Sequence, residues 1–316
     1  MAANGLGCGV PRYSRAPSPA FAALLTPGAF LSTLLQPRKV FGLQLDFQFR
    51  EADHLHLYCG LARVLDASWS RGKVRIAADP AYSKQNCGAR LFRDWTPGEE
   101  GLSKYADTYL HEVGVKLAFL RREGVLQAAW ARVSEPWVPF DREAVLGYSD
   151  AAERDAARTF PQMAAARSEL VELQQAGGWA ELPEPGGAEV DQLAVDPDGR
   201  LVLLELKNVS TSAGAAYYSP YQLLQYVYEW HGALPAVRDQ LSALIQARVL
   251  AGLTPAGLPA LTGELRPAIG FGDALGSDEV RDRFEQVRTV VNRHLPPGVC
   301  PVEAWAIDGN VPRRVA

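Results

Sequence analysis

Glu189-Val-Asp191-Gln-Leu-Ala-Val-Asp196-Pro-Asp-Gly199-Arg-Leu-Val-Leu-Leu-Glu205-Leu-Lys207 reads as two short strands joined by a tight turn. Pro at the second turn position, Asp at the third and Gly at the fourth favour a type I turn closed by a left-handed glycine. In a hairpin this is the three-residue loop with a glycine bulge, which sets Asp196 opposite Arg200. Counted outward, Asp191 falls opposite Glu205. Cβ atoms of directly opposed residues lie roughly 4.5–5.5 Å apart, close enough for two carboxylates to share one ion. Glu189 and Lys207 lie two residues further along the same face, because strand side chains alternate. A slip of one residue would destroy the arrangement, so the register is an explicit expectation.

The second strand makes its charges conspicuous. Leu201-Val202-Leu203-Leu204 is apolar on both faces, as in a strand buried between layers. Glu205 and Lys207 follow at once. Buried unpaired charge costs several kcal/mol, so such residues need partners or a task. A plain ion pair where the strand emerges into solvent is the alternative for Glu205 and Lys207 alone. Downstream, Ser219-Pro220 starts a helix, with Ser as cap and Pro in the first turn. That helix puts Gln222 and Tyr226 four residues apart on one face.

Taken in order, these residues resemble the PD-(D/E)xK nuclease superfamily, with its restriction-endonuclease-like fold. Asp191, Glu205 and Lys207 match the motif. Gln222 and Tyr226 are similar to the Gln-x-x-x-Tyr motif of the RecB-like branch. The resemblance covers roughly residues 165–308. It implies that Asp191, Glu205 and the backbone carbonyl of Leu206 bind Mg²⁺ or Mn²⁺, hard cations that take oxygen ligands. A metal-activated water would then hydrolyse a DNA phosphodiester. Lys207 would orient that water and offset charge on the phosphate, with Gln222 and Tyr226 as orienting residues. Glu169, Glu172 and Glu189 are further candidate ligands, each with a solvated helix or strand residue as the alternative. Two other readings stay open: a catalytically silent nuclease-fold binding or structural module, and a ribonuclease on the same core.

The flanking sequence supports an α/β class: a C-terminal restriction-endonuclease-like core, a mixed sheet flanked by helices, preceded by a β-rich N-terminal domain. The expected division is 1–148, binding DNA or a partner, and 149–316, carrying the nuclease-like core. Leu265–Phe271 reads as a strand, Ser277–His294 as a capped amphipathic helix and Pro301–Ile307 as a strand, together a parallel crossover. Ser149 or Asp150 should cap a helix that Pro161 kinks or splits. Residues 235–251 read as an insertion or flanking helix. In the N-terminal half, the segments 40–49 and 54–57 alternate as half-buried strands. Val113–Leu120 and Val125–Val133 read as a hairpin. The leader, residues 1–37, reads as partly disordered or wrapped along the body.

Charge divides unevenly. Residues 1–150 carry a net +3 and residues 151–316 a net −7. Nucleic-acid binding needs basic surface, and Arg71, Lys73, Arg75, Lys84, Arg90 and Arg93 concentrate it in the N-terminal half, with a solvated charged face as the alternative. No apolar run approaches bilayer-spanning length, and Ala20–Leu35 is interrupted by Pro27 and Gly28 and lacks a basic leader. The expectation is a cytoplasmic protein with no membrane partner. Cys8, Cys59, Cys87 and Cys300 are scattered, so no iron–sulfur cluster is expected. Gly270-Phe-Gly272 through Gly276 suits a plain loop better than a dinucleotide site. His54 and His56 share a strand face, but without an evident third ligand they read as half-exposed strand residues. No Walker loop occurs, so an NTPase or defence-system partner would be a separate protein. A homodimer would suit cleavage of both strands.

Overall fold

The computed structural model describes residues 10–40, 43–51, 53–78, 92–114, 122–184, 189–208, 213–272, 275–308 and 311–315. The chain forms two compact units. One comprises Ser14–Arg132 and Gln240–Leu258; the other comprises Met1–Tyr13, Val133–Asp239 and Pro259–Ala316.

The first unit is built on an antiparallel five-stranded sheet. The short strands β1 (Lys39–Val40) and β2 (Leu43–Gln44) pair with each other. β3 (Asp46–Arg50), β4 (His54–Cys59), β5 (Ala62–Ser70), β6 (Lys73–Ala78) and β7 (Phe92–Trp95) then follow in spatial order. Alternation sorts the faces: Phe47, Phe49, Leu55, Leu57, Val74, Ile76 and Trp95 are buried, while the polar residues between them share the other face. The leader is wrapped rather than loose from residue 10 onward. Ser18 caps α1 (Pro19–Leu25) through the Phe21 amide, and Asp53 accepts bonds from both the amide and hydroxyl of Ser18. A 3₁₀ turn, Phe30–Leu35, follows. Phe21, Leu25, Leu31 and Leu34 are essentially inaccessible.

One N-terminal expectation is corrected. Leu102–Gly114 is helix α2 and Arg122–Trp130 is helix α3, so there is no hairpin between Val125–Val133 and the segment before it. Residues 115–121 lie outside the described residues. The apolar positions 126, 128 and 130 satisfy a strand period. Yet Leu126, Ala128 and Trp130 are all buried from a helix, whose own Gly124 packs on the backbone of Gly60 and Leu61. A Cβ on Gly124 would come within 3.0 Å of the Leu61 nitrogen.

The second unit carries a mixed six-stranded sheet flanked by helices. β8 (Val138–Ala144), β9 (Val190–Val195) and β10 (Leu201–Lys207) run antiparallel. β11 (Leu265–Phe271) and β12 (Glu303–Asp308) continue parallel to β10, and β13 (Val311–Arg314) closes the edge antiparallel. Parallel neighbours require crossovers, and helices supply them. Asp150 caps α4 (Ala151–Ala157) through the Glu153 amide, and Pro161 opens α5 (Pro161–Gly177), so proline splits the helical stretch. After the short α6 (Ala213–Tyr217) comes α7, which runs unbroken over Ser219–Leu250. The segment expected as an insertion or flanking helix from 235 is thus the continuation of the helix that starts at Ser219, and Pro235 lies inside it. Apolar side chains on both sides of it, Trp230, Leu234, Val237 and Leu241, are buried and hold the helix across the missing amide. Finally, α8 (Asp278–Arg293) is capped by Ser277 and joins β11 to β12.

Candidate active site

The Asp196-Pro-Asp-Gly199 turn sets the geometry. Asp196 Oδ1 accepts from the amides of Asp198 (3.0 Å) and Arg200 (2.9 Å), and the Gly199 amide bonds the Asp196 carbonyl at 3.0 Å. Gly199 has φ +80°, and an added Cβ would lie 2.3 Å from the Ala260 carbonyl oxygen. Only glycine fits that conformation and that approach. The pairs Leu201↔Val195 through Leu204↔Gln192 follow. The same register carried one residue further sets Glu205 against Asp191.

Beyond Gln192 the backbone ladder yields to side chains. The Leu206 amide donates to Asp191 Oδ2 at 2.7 Å. A strand residue presents its amide and carbonyl to the same neighbour, so the Leu206 carbonyl also faces the Asp191 edge. Glu205 is 3% exposed, and Lys207 Nζ lies 2.6 Å from its Oε1 while remaining 19% exposed itself. A buried carboxylate therefore has a cation that reaches solvent.

Helix α7 brings the second set of groups. Gln222 donates its side-chain amide to the Tyr226 hydroxyl at 3.3 Å. Burial pushes the pKa of Tyr226 well above its ordinary value. The charges of Glu205 and, more weakly, Asp191 push it further, against the Gln222 contact. Tyr226 is thus protonated at any working pH and lies within electrostatic reach of both carboxylates. One turn on, Glu229 is buried and held by Tyr148 (2.9 Å) and by Arg158 Nε (3.2 Å to each oxygen). Burial raises its pKa more than these partners lower it.

The remaining candidates fall elsewhere. Glu169 is bound to His294 (2.6 Å) and to Arg293 at the end of α8. Glu172 and Glu189 are exposed. Arg71, Lys73 and Arg75 converge with Ser68, Ser70 and Asp94 on a cleft of about 340 Å³ in the five-stranded unit. Arg75 is paired there with Asp94. Arg93 belongs to the opposite face, opposed to Ile76, stacked on Trp95 at 3.6 Å and paired with Glu99. Lys84 and Arg90 lie outside the described residues. Of the cysteines, Cys59 and Cys300 are free thiols; Cys8 and Cys87 lie outside. Among the described residues, no helix is long and apolar enough to cross a membrane.

Sequence reasoning missed one constellation. Asp66 on β5 stands opposite His56, and its carboxylate also meets His54. The alternation of both strands was readable, but the partner strand's register was not.

The Asp191 and Glu205 carboxylates and the Leu206 carbonyl are oxygen donors of the kind a hard divalent ion takes. No protein-family model, curated protein or solved structure matches the chain.

Proposed function

We propose that the chain is a metal-dependent nuclease of the PD-(D/E)xK type, hydrolysing phosphodiester bonds of DNA. The observation that carries this reading is the bond from the Leu206 amide to Asp191 Oδ2, between Glu205 and the Lys207 that is ion-paired to it. The sheet order supports a restriction-endonuclease-like core: an antiparallel hairpin bearing the charged residues, followed by a parallel strand reached through a helix that bears Gln222 and Tyr226.

A bound Mg²⁺ or Mn²⁺ would lower the pKa of a coordinated water and neutralise phosphate charge. Asp191, Glu205 and the Leu206 carbonyl would hold it. Asp191 is oriented in advance by the Leu206 amide, so little conformational freedom is lost on binding. Lys207, ion-paired to Glu205, would bring a compact ammonium to the reacting phosphate, to orient the nucleophilic water and offset developing charge. Tyr226, kept protonated, offers a hydroxyl positioned by Gln222.

Plasmid DNA, single-stranded DNA and RNA incubated with Mg²⁺, Mn²⁺ or EDTA provide the test. Metal-dependent cutting of DNA, lost on Glu205→Gln, is expected. Folded protein that leaves every DNA form intact with both metals sinks the proposal, and cutting confined to RNA replaces the substrate.

A further inference from the structure

Away from the carboxylate hairpin, one polar face of the five-stranded sheet gathers three potential metal ligands. His54 and His56 alternate along β4, and Asp66 lies opposite His56 on β5. The His54 Nδ1 is 2.9 Å from each Asp66 oxygen, and the His56 Nε2 is 3.9 Å from Asp66 Oδ1. One ligand atom from each residue lies within 4.8 Å of the other two. Ligands bonded at roughly 2.0–2.1 Å around a tetrahedral ion stand about 3.4 Å apart. The two His–Asp66 separations bracket that value, so modest side-chain adjustment closes the set.

We infer that His54, His56 and Asp66 form a binding site for a divalent transition metal, Zn²⁺ above others, separate from the carboxylate hairpin. Three protein ligands leave coordination positions to water or an exogenous anion. The side chains are 35%, 13% and 23% exposed in that order, so an ion can enter while most of the shell is already fixed. Tyr58 Oη lies 3.5 Å from His56 Nδ1, on the side of the ring away from the ligand nitrogen. A second contact of this kind orients a ligating imidazole.

The ligand types select the metal. Arg50 stands opposite His54 on β3, 5.7 Å over the Tyr58 ring. A bulge after Leu57 puts Arg63 beside Tyr58, on the histidine face. These two cations repel any dication, and a single carboxylate does not outweigh them for Mg²⁺, which binds mainly through carboxylate charge and keeps its waters. A Zn²⁺ ion gains instead from two imidazole nitrogens.

The test uses the full chain stripped with EDTA. Zn²⁺ is titrated by calorimetry, and Co²⁺ serves as a spectroscopic substitute. Wild type should bind Zn²⁺, and the Co²⁺ complex should show the intense visible bands of four-coordinate nitrogen–oxygen ligation. His54→Ala and Asp66→Ala should each weaken Zn²⁺ binding at least about 100-fold, the upper end of what even supporting residues contribute. Asp191→Ala should leave this affinity unchanged. His54 is partly exposed, so its variant is expected to fold, and the circular dichroism melt of each variant verifies that. No heat and no Co²⁺ band with metal in large excess overturns the site. So does an affinity unmoved in both folded variants, or lost only with Asp191→Ala.

Discussion

Glu205 and Lys207 show how one contact can be both a structural demand and a chemical resource. A carboxylate 3% exposed needs a counter-charge, and Lys207 provides it at 2.6 Å. Removing one partner of a buried pair leaves a desolvated charge and typically costs about 3–5 kcal/mol. Lys207→Met keeps the volume and the apolar stem but not the cation. It should therefore lower stability by roughly 3 kcal/mol, measured by urea denaturation. It should also reduce metal-dependent DNA cleavage at least about 100-fold, measured on plasmid. Adding Glu205→Leu removes the stranded carboxylate and should recover most of the stability but none of the activity. A single variant as stable and as active as wild type would contradict both roles. The sequence was sufficient to pair these residues, since both lie on one strand face and the strand's apolar run marks it as buried. It was silent on which carboxylates serve other ends. Glu169 and Glu172 look alike in the string, yet Glu169 is drawn to His294 and Arg293, more than a hundred residues away in the chain.

At the level of elements, local chemistry was legible and long-range pairing was not. The Asp-Pro-Asp-Gly turn carries its own register because glycine at φ +80° and the Asp196 side chain admit one loop length. Gly199→Ala adds a Cβ facing the Ala260 carbonyl at 2.3 Å. It should cost roughly 2–4 kcal/mol from backbone strain plus overpacking, seen as a lowered thermal midpoint. No change in midpoint would mean the turn does not set the hairpin. By contrast, Asp66 meets His56 only through a strand pairing interrupted by a bulge, which no local signal announces. Val125–Trp130 satisfied a strand period but folds as a helix, because tertiary burial of Leu126 and Trp130 decides between periods that short segments share. Helix α7 adds a pH-dependent element through Glu229. Its folded pKa is raised, chiefly by burial, from the ordinary 4.5. The unfolded chain is thus the first to release this proton as pH rises. Stability that Glu229 contributes in acid is lost as pH climbs through the raised folded value, by at most about 1.4 kcal/mol per pH unit. Glu229→Gln cannot ionise, so wild type should lose stability relative to this variant between pH 4.5 and neutrality. Urea midpoints for the two proteins decide it, and a wild type that instead gains on the variant reverses the sign.

Across the whole molecule, charge and chemistry are segregated. The chain is net −4, with its acidic excess after residue 150, where the carboxylate hairpin lies, and its basic excess before it. The basic residues that the structure brings together, Arg71, Lys73 and Arg75, line one cleft of the five-stranded unit. Arg75 is partly neutralised by Asp94, which leaves Arg71 and Lys73 as the main source of positive potential there. Arg71 occupies the tip of the β5–β6 hairpin at φ +51°, followed by Gly72 at φ +76°, the mirror-image turn in which asparagine is preferred. An arginine in that conformation is held at some cost to the fold. Arg71→Asn should consequently raise stability by a few tenths to about 1 kcal/mol. If the cleft contacts phosphates, the same change should weaken DNA binding. A protein that neutralises phosphates releases counterions, so each lost contact flattens the log–log dependence of affinity on salt by about 0.9. Arg71→Asn combined with Lys73→Gln should reduce that slope by roughly 2 and lower affinity about tenfold at low salt. Fluorescence anisotropy with a labelled duplex across a salt series reads both quantities. The fold controls itself in this experiment, because the double variant should melt no lower than wild type. An unchanged slope with the melt preserved would remove the cleft from DNA recognition and return Arg71 and Lys73 to the status of a solvated turn.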